Sequence, residues 1–313
     1  MKKEKFNTFF KSNILNEKEK LTIVLGSGFH KLDNNDTVLS SWDLLLRKVY
    51  PKFESQGNYL LDFEKIIINQ STSLQAGKVE KQKLLHVASF IKKEQENISE
   101  EQLKQYPIEI FNPKYVTDII ILNFDEVAER ICKKFLNCKI SNVKHIVIDK
   151  KLTKEAKIHQ TTRYTEVQFP SNEKIRFWHP HGSIAKSSEM ILSARSYATH
   201  IANIERLRKH SKSAERNNKK LNTWYDQLTH QPVLILGASI SDSEWDLWSA
   251  FVNRARNFYK GENQKNRQPI YQMRSNEDKK CIINGTNQQW FQELYSEKTS
   301  YNDQWAKLKN LLK

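Results

Sequence analysis

The stretch LTIVLGSGFH, residues 21–30, decides the fold class of this chain. Residues 22–25 are β-prone and mostly apolar without alternation, a pattern typical of a strand buried on both faces of a parallel sheet. Gly26 and Gly28 follow at once, and glycines let the backbone turn tightly and approach a ligand closely. Ser27 and the next amides are then placed to meet a phosphate at a helix start. Because the third glycine of the dinucleotide fingerprint is missing, the stretch predicts a central strand followed by either a nucleotide-binding turn or an ordinary strand-to-helix turn.

The composition is typical of a soluble globular protein with a heavily charged surface. The chain has 313 residues, of which 38% are hydrophobic, and its mean hydropathy is -0.71. This length suffices for one large domain or two. No segment approaches eighteen uninterrupted apolar residues, and the first residues lack the apolar stretch and cleavage site of a signal peptide. We therefore expect a cytoplasmic protein without membrane attachment.

The cysteines indicate neither disulfides nor a zinc module. Cys132, Cys138 and Cys281 are too few and too irregularly spaced for a disulfide framework or for the paired C-x-x-C spacing of a four-thiolate zinc site. We expect all three to be reduced and structural, and we expect no bound metal.

The formal net charge of +15 would attract polyanions through a field that does not depend on sequence. The densest basic segment is RLRKHSKSAERNNKK, residues 206–220, with seven basic residues and the single Glu215. A solvated helix face, a nucleic-acid contact and a docking surface for an acidic partner all fit this segment. Nucleic acid is possible but not favoured, because no interleaved aromatic residues or known binding motif accompany the charge.

A second apolar strand is predicted to end at Asn123 and Asp125. Ligands of open α/β sheets collect at the carboxyl ends of the strands, so both side chains are placed where chemistry would occur. In the alternative interpretation, Asp125 caps the following helix and Asn123 stabilises the turn. The spacing does not separate these two interpretations.

A third strand is predicted to end in the sequence HPHGS, residues 179–183. A histidine at a strand end can act as a general base or hydrogen-bond a sugar hydroxyl near neutral pH, and His181 is the better candidate. His179 and His181 share a face if the segment is extended, so a metal pair is conceivable, although a third and a fourth ligand are not evident. A satisfied core histidine is the alternative for His179.

The last informative stretches complete the predicted sheet. Residues 233–236 form a buried strand followed by the small-residue turn Gly237-Ala238-Ser239, and residues 270–273 and 281–284 form two further strands, the second ending at Asn284. We predict an α/β fold with a Rossmann-like parallel sheet, helices on both faces and helical insertions at about 50–110 and 185–230. Residues 1–313 are expected to form one domain.

The order of these strand ends resembles the sirtuin family of NAD-binding proteins. The motifs LGSG, LNFD, HPHGS, LGAS and INGT follow one another over about residues 21–285, as the glycine turn, the N-x-D motif, the His-Gly motif, the G-x-S motif and the late asparagine do in sirtuins. The resemblance implies NAD as the bound cosubstrate.

The resemblance also implies roles for single residues. Asn123 matches the asparagine beside the nicotinamide ribose, Asp125 the aspartate that recognises the carboxamide, and His181 the catalytic histidine. The implied NAD-binding residues are Gly26, Ser27, Gly28 and Phe29 in the first turn, Gly237 and Ser239 in the later turn, and Asn284. The pair Phe29-His30 departs from the usual Ile-Ser that follows the glycines.

One absence separates this chain from protein-deacetylating sirtuins, which carry two C-x-x-C pairs that bind zinc. The chain has no such pairs, so it resembles the zinc-free sirtuin-like NADases that bacteria use as anti-phage effectors. This resemblance implies hydrolysis of NAD to nicotinamide and ADP-ribose. It also implies that this activity is controlled by an activating or inhibiting protein partner or by self-assembly. A non-catalytic sensor of NAD or ADP-ribose, and a nucleic-acid-binding protein, are the alternatives.

Overall fold

The apolar run of the first informative stretch forms the central strand of the sheet, as predicted. In the computed structural model, strand β1 spans Leu21–Leu25 and all five of its residues are buried. The structure describes residues 20–32, 37–52, 54–70, 72, 75–146, 162–216, 222–238, 240, 244–258, 268, 270–273 and 300–312. The predicted strand at 281–284 lies outside these residues.

The described strands form one mostly parallel sheet. After β1 come β2 (Val116–Ile121), β3 (Lys139–Ile140), β4 (Lys144–His145), β5 (Arg163–Gln168), β6 (Lys174–Trp178), β7 (Val233–Leu236) and β8 (Ile270–Met273). The order is β3-β5-β6-β2-β1-β7-β8, with β4 also paired to β5. Strands β6, β2, β1, β7 and β8 are parallel, whereas β5 runs antiparallel to β6.

This order creates a switch point beside β1. The chain moves from β1 to β2 and β6 on one side, then returns to β7 on the other side of β1. In open α/β sheets, ligands bind in the crevice outside the carboxyl ends of the strands at such a point. We therefore expect a ligand-binding site at the carboxyl ends of β1 and β7.

Nine α-helices are present in the described residues. They are α1 (Trp42–Val49), α2 (Tyr59–Ile68), α3 (Ala76–Glu96), α4 (Glu100–Gln105), α5 (Val127–Phe135), α6 (Ala194–Arg216), α7 (Trp224–His230), α8 (Trp245–Phe258) and α9 (Tyr301–Leu312). Short 3-10 helices cover Ser27–His30, Val38–Ser40, Ile108–Phe111 and Ile184–Glu189. No helix in the described part of the chain combines the length and the apolarity needed to cross a membrane.

Helices cover both faces of the sheet. Alternate side chains of a strand point to opposite faces, so the apolar residues of β1 contribute to a core on each side. Ile23 and Leu25 of β1 pack in a core that includes residues of α5 and α9, whereas Val24 packs in a second core with residues of α6, α7 and α8. The predicted α/β fold, with a Rossmann-like parallel sheet between two helical layers, is confirmed.

The helices of residues 42–96 form a third apolar cluster. It joins Phe63 of α2 and Val87 of α3 to α1, and it includes Phe124 and Leu192. Phe124 lies between Asn123 and Asp125 in the sequence, so this cluster packs directly against the carboxyl end of β2. The helical segment thereby covers one side of the candidate site.

Candidate functional site

The two glycine turns at the ends of β1 and β7 pack against each other. The amide of Gly28 donates a hydrogen bond of 2.8 Å to the Gly237 carbonyl. A Cβ on Gly26 would lie 2.5 Å from the Gly237 oxygen, and a Cβ on Gly237, whose φ is +62°, would lie 2.4 Å from the Phe29 nitrogen. Real Cβ atoms do not approach backbone this closely, so the contact between the turns itself requires glycine.

This contact limits what the first turn offers to a ligand. The amides of Gly28 and Phe29 already donate to the carbonyls of Gly237 and Gly26. The Phe29 ring packs in the core, with centroid separations of 4.8 Å from Tyr106 and 6.2 Å from Trp305. Any contact of Phe29 with a cofactor would therefore come from its backbone. The phosphate-binding role of Gly26, Ser27, Gly28 and Gly237 stays a prediction, and Ser239 and Asn284 lie outside the described residues.

Asp125 is held by two partners in the interior. One carboxylate oxygen accepts a hydrogen bond of 3.1 Å from the Val127 amide at the start of α5, and the other lies 3.0 Å from Nε2 of His30. Nδ1 of His30 lies 2.9 Å from the Tyr106 hydroxyl. Burial opposes ionisation of Asp125, but His30 and the Val127 amide outweigh it and hold the pKa of this carboxyl below its usual range.

His30 was not among the residues predicted to act. Its position directly after the glycine turn, at the carboxyl end of a strand, was the available signal. The capping role considered for Asp125 is present in the structure. It does not exclude a ligand, because a carboxylate has about four acceptor positions.

Asn123 is buried, but its side chain makes no hydrogen bond to the described part of the chain. Its carbonyl lies 3.4 Å from Nδ1 of His179. A cavity of about 10 Å³ adjoins Asn123 and Asp125, and Trp42 and Leu45 of α1 also line it. A cavity of this size holds about one water molecule, so it leaves no room for a nicotinamide ring between these side chains.

His181 lies at the centre of a buried polar cluster. Its Nδ1 lies 3.1 Å from the Leu122 carbonyl, next to Asn123, and its Nε2 lies 2.8 Å from an oxygen of Asp246. The other Asp246 oxygen accepts a hydrogen bond of 2.7 Å from the Tyr197 hydroxyl. Nε2 of His200 lies 3.5 Å from Asp246 and has no hydrogen-bond partner.

The ionised forms of His181 and Asp246 stabilise each other. Burial disfavours the imidazolium of His181, but the Asp246 carboxylate and Glu244 outweigh it and raise the pKa of His181. Burial likewise opposes ionisation of Asp246, yet the two histidines hold the pKa of Asp246 well below its usual range. Burial lowers the pKa of His200. Both nitrogens of His181 face acceptors, so a proton is held more readily on His181 than on His200.

His179 and His181 do not converge on a common ligand position. Nε2 of His179 lies 2.8 Å from Glu129 of α5, whereas Nε2 of His181 faces Asp246 of α8. The possible metal pair of His179 and His181 is therefore not formed in this arrangement. Ligand atoms of His181, His200 and Asp246 lie within 4.8 Å of one another, so these three are the described residues that could hold a metal ion.

Tyr197, His200 and Asp246 were not predicted from the sequence. Tyr197 and His200 lie three residues apart on one face of α6, and Asp246 is the second residue of α8. The only sequence signal was an acidic residue in the first turn of the helix after β7. Its partner, His181, is 65 residues away.

Three predicted residues thus lie at neighbouring strand ends. Asn123 and Asp125 follow β2, and His181 follows β6, which pairs with β2 in parallel. The His181 ring touches the backbone next to Asn123, and His30 ties Asp125 to the glycine turn after β1. The ends of β1, β2 and β6 therefore carry polar residues at the same edge of the sheet.

Comparison with known proteins identifies the family. A family model described as SIR2-like domain matches residues 117–294, more than half of the chain. The match includes Asn123, Asp125, His181, Gly237 and Asp246. No curated protein matches the sequence significantly. The chain belongs to the SIR2-like domain family, and this membership implies an NAD-related activity.

Proposed function

We propose that this chain is an NAD glycohydrolase that converts NAD and water into nicotinamide and ADP-ribose. The observation that carries the proposal is the position of Asn123, Asp125 and His181 directly after two adjacent parallel strands. Membership of a family whose members typically consume NAD supports it. The absence of C-x-x-C pairs from the sequence favours water over an acyl-lysine as the acceptor.

The reaction breaks the bond between the nicotinamide nitrogen and C1′ of the ribose. The electron pair of that bond passes to the nicotinamide ring, which leaves as a neutral molecule, and water adds to C1′ of the oxocarbenium-like ribose. Asn123, whose side chain has no partner in the described part of the chain, holds the ribose and the water. Asp125 accepts a hydrogen bond from the carboxamide, and His181 takes the proton that the water loses.

In the neutral form of His181, Nδ1 is the nitrogen that can take this proton. It faces the Leu122 carbonyl on the side of Asn123, whereas Nε2 faces a carboxylate. A hydrogen bond to a neutral carbonyl is weaker than one to a charged carboxylate, so Leu122 is the partner that a water or ribose hydroxyl displaces. The proton then leaves the site to bulk solvent.

We further propose that the enzyme depletes NAD in bacterial anti-phage defence and that a partner protein, or assembly with further copies of the chain, activates it. The small volume of the cavity beside Asn123 supports a resting state without room for nicotinamide. Trp42 and Leu45 of α1 would have to move before nicotinamide could enter. A trigger that moves α1 would open the site.

The test is an incubation of the purified protein with NAD, alone and together with the products of neighbouring genes, with nicotinamide and ADP-ribose measured by chromatography. We expect both products in equal amounts, and loss of at least about 100-fold in rate in Asn123→Ala and in His181→Ala. Asn112→Ala is the matched control, because Asn112 lies before the opposite end of β2 and bonds the backbone at Lys114. Turnover that persists in both site variants would refute the assignment.

A sensor that binds NAD or ADP-ribose without cleaving it is the second candidate. The engagement of both His181 nitrogens by protein acceptors favours this alternative. Calorimetry followed by recovery of the ligand distinguishes the two functions. Binding with all of the NAD recovered intact, in the presence of every neighbouring gene product, would establish the sensor instead.

A further inference from the structure

We propose that Asp246 is a positioning residue that holds Nε2–H of His181, so that Nδ1, on the side of Asn123, receives the proton of the attacking water. The inference rests on the proposed hydrolase function. It adds a residue pair, Asp246 with Tyr197, that fixes which nitrogen of His181 carries a hydrogen before the reaction.

The contacts of Asp246 leave it little freedom. The residue is 0% exposed, and one of its oxygens lies 2.8 Å from Nε2 of His181. The Tyr197 hydroxyl donates to the other oxygen at 2.7 Å and accepts a hydrogen bond of 3.1 Å from the Asp246 amide. Because the amide can only donate, the Tyr197 hydroxyl must point its hydrogen at the carboxylate. The carboxylate is thereby fixed in orientation.

The position of Asp246 in α8 also favours its negative charge. It is the second residue of the helix, where the unpaired amides and the helix dipole stabilise an anion. An ionised Asp246 accepts a hydrogen bond from Nε2, so Nε2 keeps its hydrogen in both charge states of His181. Only Nδ1 is then left to gain or lose a proton.

A metal ion on His181, His200 and Asp246 is the competing explanation of the same cluster. Two ligands on a tetrahedral zinc with bonds of about 2.0 Å lie about 3.3 Å apart. The Nε2 of His181 and the Asp246 oxygen are 2.8 Å apart, a hydrogen-bond distance. The geometry therefore favours a proton between these atoms over a metal.

The first test compares Asp246→Asn and Tyr197→Phe with Asp118→Asn in the NAD assay, with the activator present if one is required. Asp118 is an equally buried aspartate that bonds Trp178 and Arg176 near the opposite end of β2, so it controls for the substitution itself. We expect kcat to fall about 100-fold or more in Asp246→Asn and roughly fivefold in Tyr197→Phe, with KM unchanged. Asp118→Asn should keep kcat.

The pH profile separates positioning from a merely structural role. Among the described residues, the charged and titratable groups around His181 are Asp246 and Glu244 at α8, Tyr197 and His200 on α6, and Tyr59, which adjoins Asp246. Removal of the Asp246 charge destabilises the imidazolium. The rising limb of kcat/KM should therefore move to lower pH in Asp246→Asn and stay in place in Asp118→Asn.

Nuclear magnetic resonance reports which ring nitrogen of His181 carries a hydrogen, and the measurement does not require catalytic activity. In Asp246→Asn, Tyr197 still donates to the side-chain oxygen, so the amide nitrogen turns toward His181 and can only donate. Neutral His181 should carry its hydrogen on Nε2 in the wild type and on Nδ1 in Asp246→Asn, as seen in two-bond proton–nitrogen spectra assigned with His181→Asn.

Each outcome decides the inference. Unchanged His181 signals in Asp246→Asn, or stoichiometric zinc that disappears in His200→Ala, would overturn it. The predicted change of tautomer without NAD turnover by the wild type under any condition would refute the hydrolase function and leave only the hydrogen-bonded pair. The change of tautomer together with the shifted pH limb supports both.

Discussion

His30 shows how one residue can control the charge of another at the site. It bonds Asp125 and Tyr106 in the interior, so His30→Ala would leave a buried carboxylate with only the Val127 amide. We expect the variant to lose about 3 kcal/mol of unfolding free energy at pH 7. Tyr106→Phe, which removes one hydroxyl, should lose about 1 kcal/mol. Urea unfolding measures both values.

The pH dependence of the His30→Ala variant follows from the lowered pKa of Asp125. A carboxyl whose pKa is lower in the folded state stabilises the folded protein at pH values above its pKa in the unfolded chain, about 3.9. This stabilisation is lost as the pH falls through the pKa of the carboxyl in the folded state. His30→Ala removes the contribution. The difference in unfolding free energy between wild type and variant should therefore narrow as the pH falls below about 3.9, and a constant difference there would contradict the stabilisation of the Asp125 carboxylate by His30.

Residue types at strand ends could be predicted, whereas their partners could not. Asn123, Asp125 and His181 were found because each follows an apolar run, and strand ends are where α/β sheets carry ligands. Asp246 and Tyr197 were missed because their contacts depend on the orientation of α6 and α8 across the sheet. Helical periodicity indicates the buried face of a helix and not the side chain that it meets.

At the level of elements, the glycine turns after β1 and β7 hold two central strands together. Gly237→Ala places a Cβ 2.4 Å from the Phe29 nitrogen at a φ of +62°, so backbone must shift. We expect a loss of at least about 2 kcal/mol, because the left-handed conformation alone costs an alanine about 1–2 kcal/mol. Gly77→Ala, in α3 with open space around it, should gain about 0.5–1 kcal/mol. Equal stability of Gly237→Ala and wild type would show that the turns are not in contact.

The same turns explain why the first stretch left two alternatives open. Gly26 and Gly28 fit a phosphate turn and an ordinary turn equally well when read along the chain. The close contact with Gly237 is a third reason why Gly26 and Gly28 are glycines. This contact exists because β7 lies beside β1. The strand itself was predictable because burial on both faces removes the alternation of polar residues.

For the whole molecule, the net charge of +15 is compatible with an acidic activating partner, and the basic segment 206–220 is the surface on which we propose that it docks. Arg206 and Lys209 are exposed on α6, whereas Arg208 bonds Glu205 at 2.7 Å. The double charge reversal Arg206→Glu with Lys209→Glu should slow association with the activator roughly tenfold at low salt and weaken its salt dependence. Lys104→Glu with Lys133→Glu, at exposed positions on α4 and α5, is the control of equal net charge. Stopped-flow mixing measures the rates, and equal rates for the two double variants would exclude this segment as the docking surface.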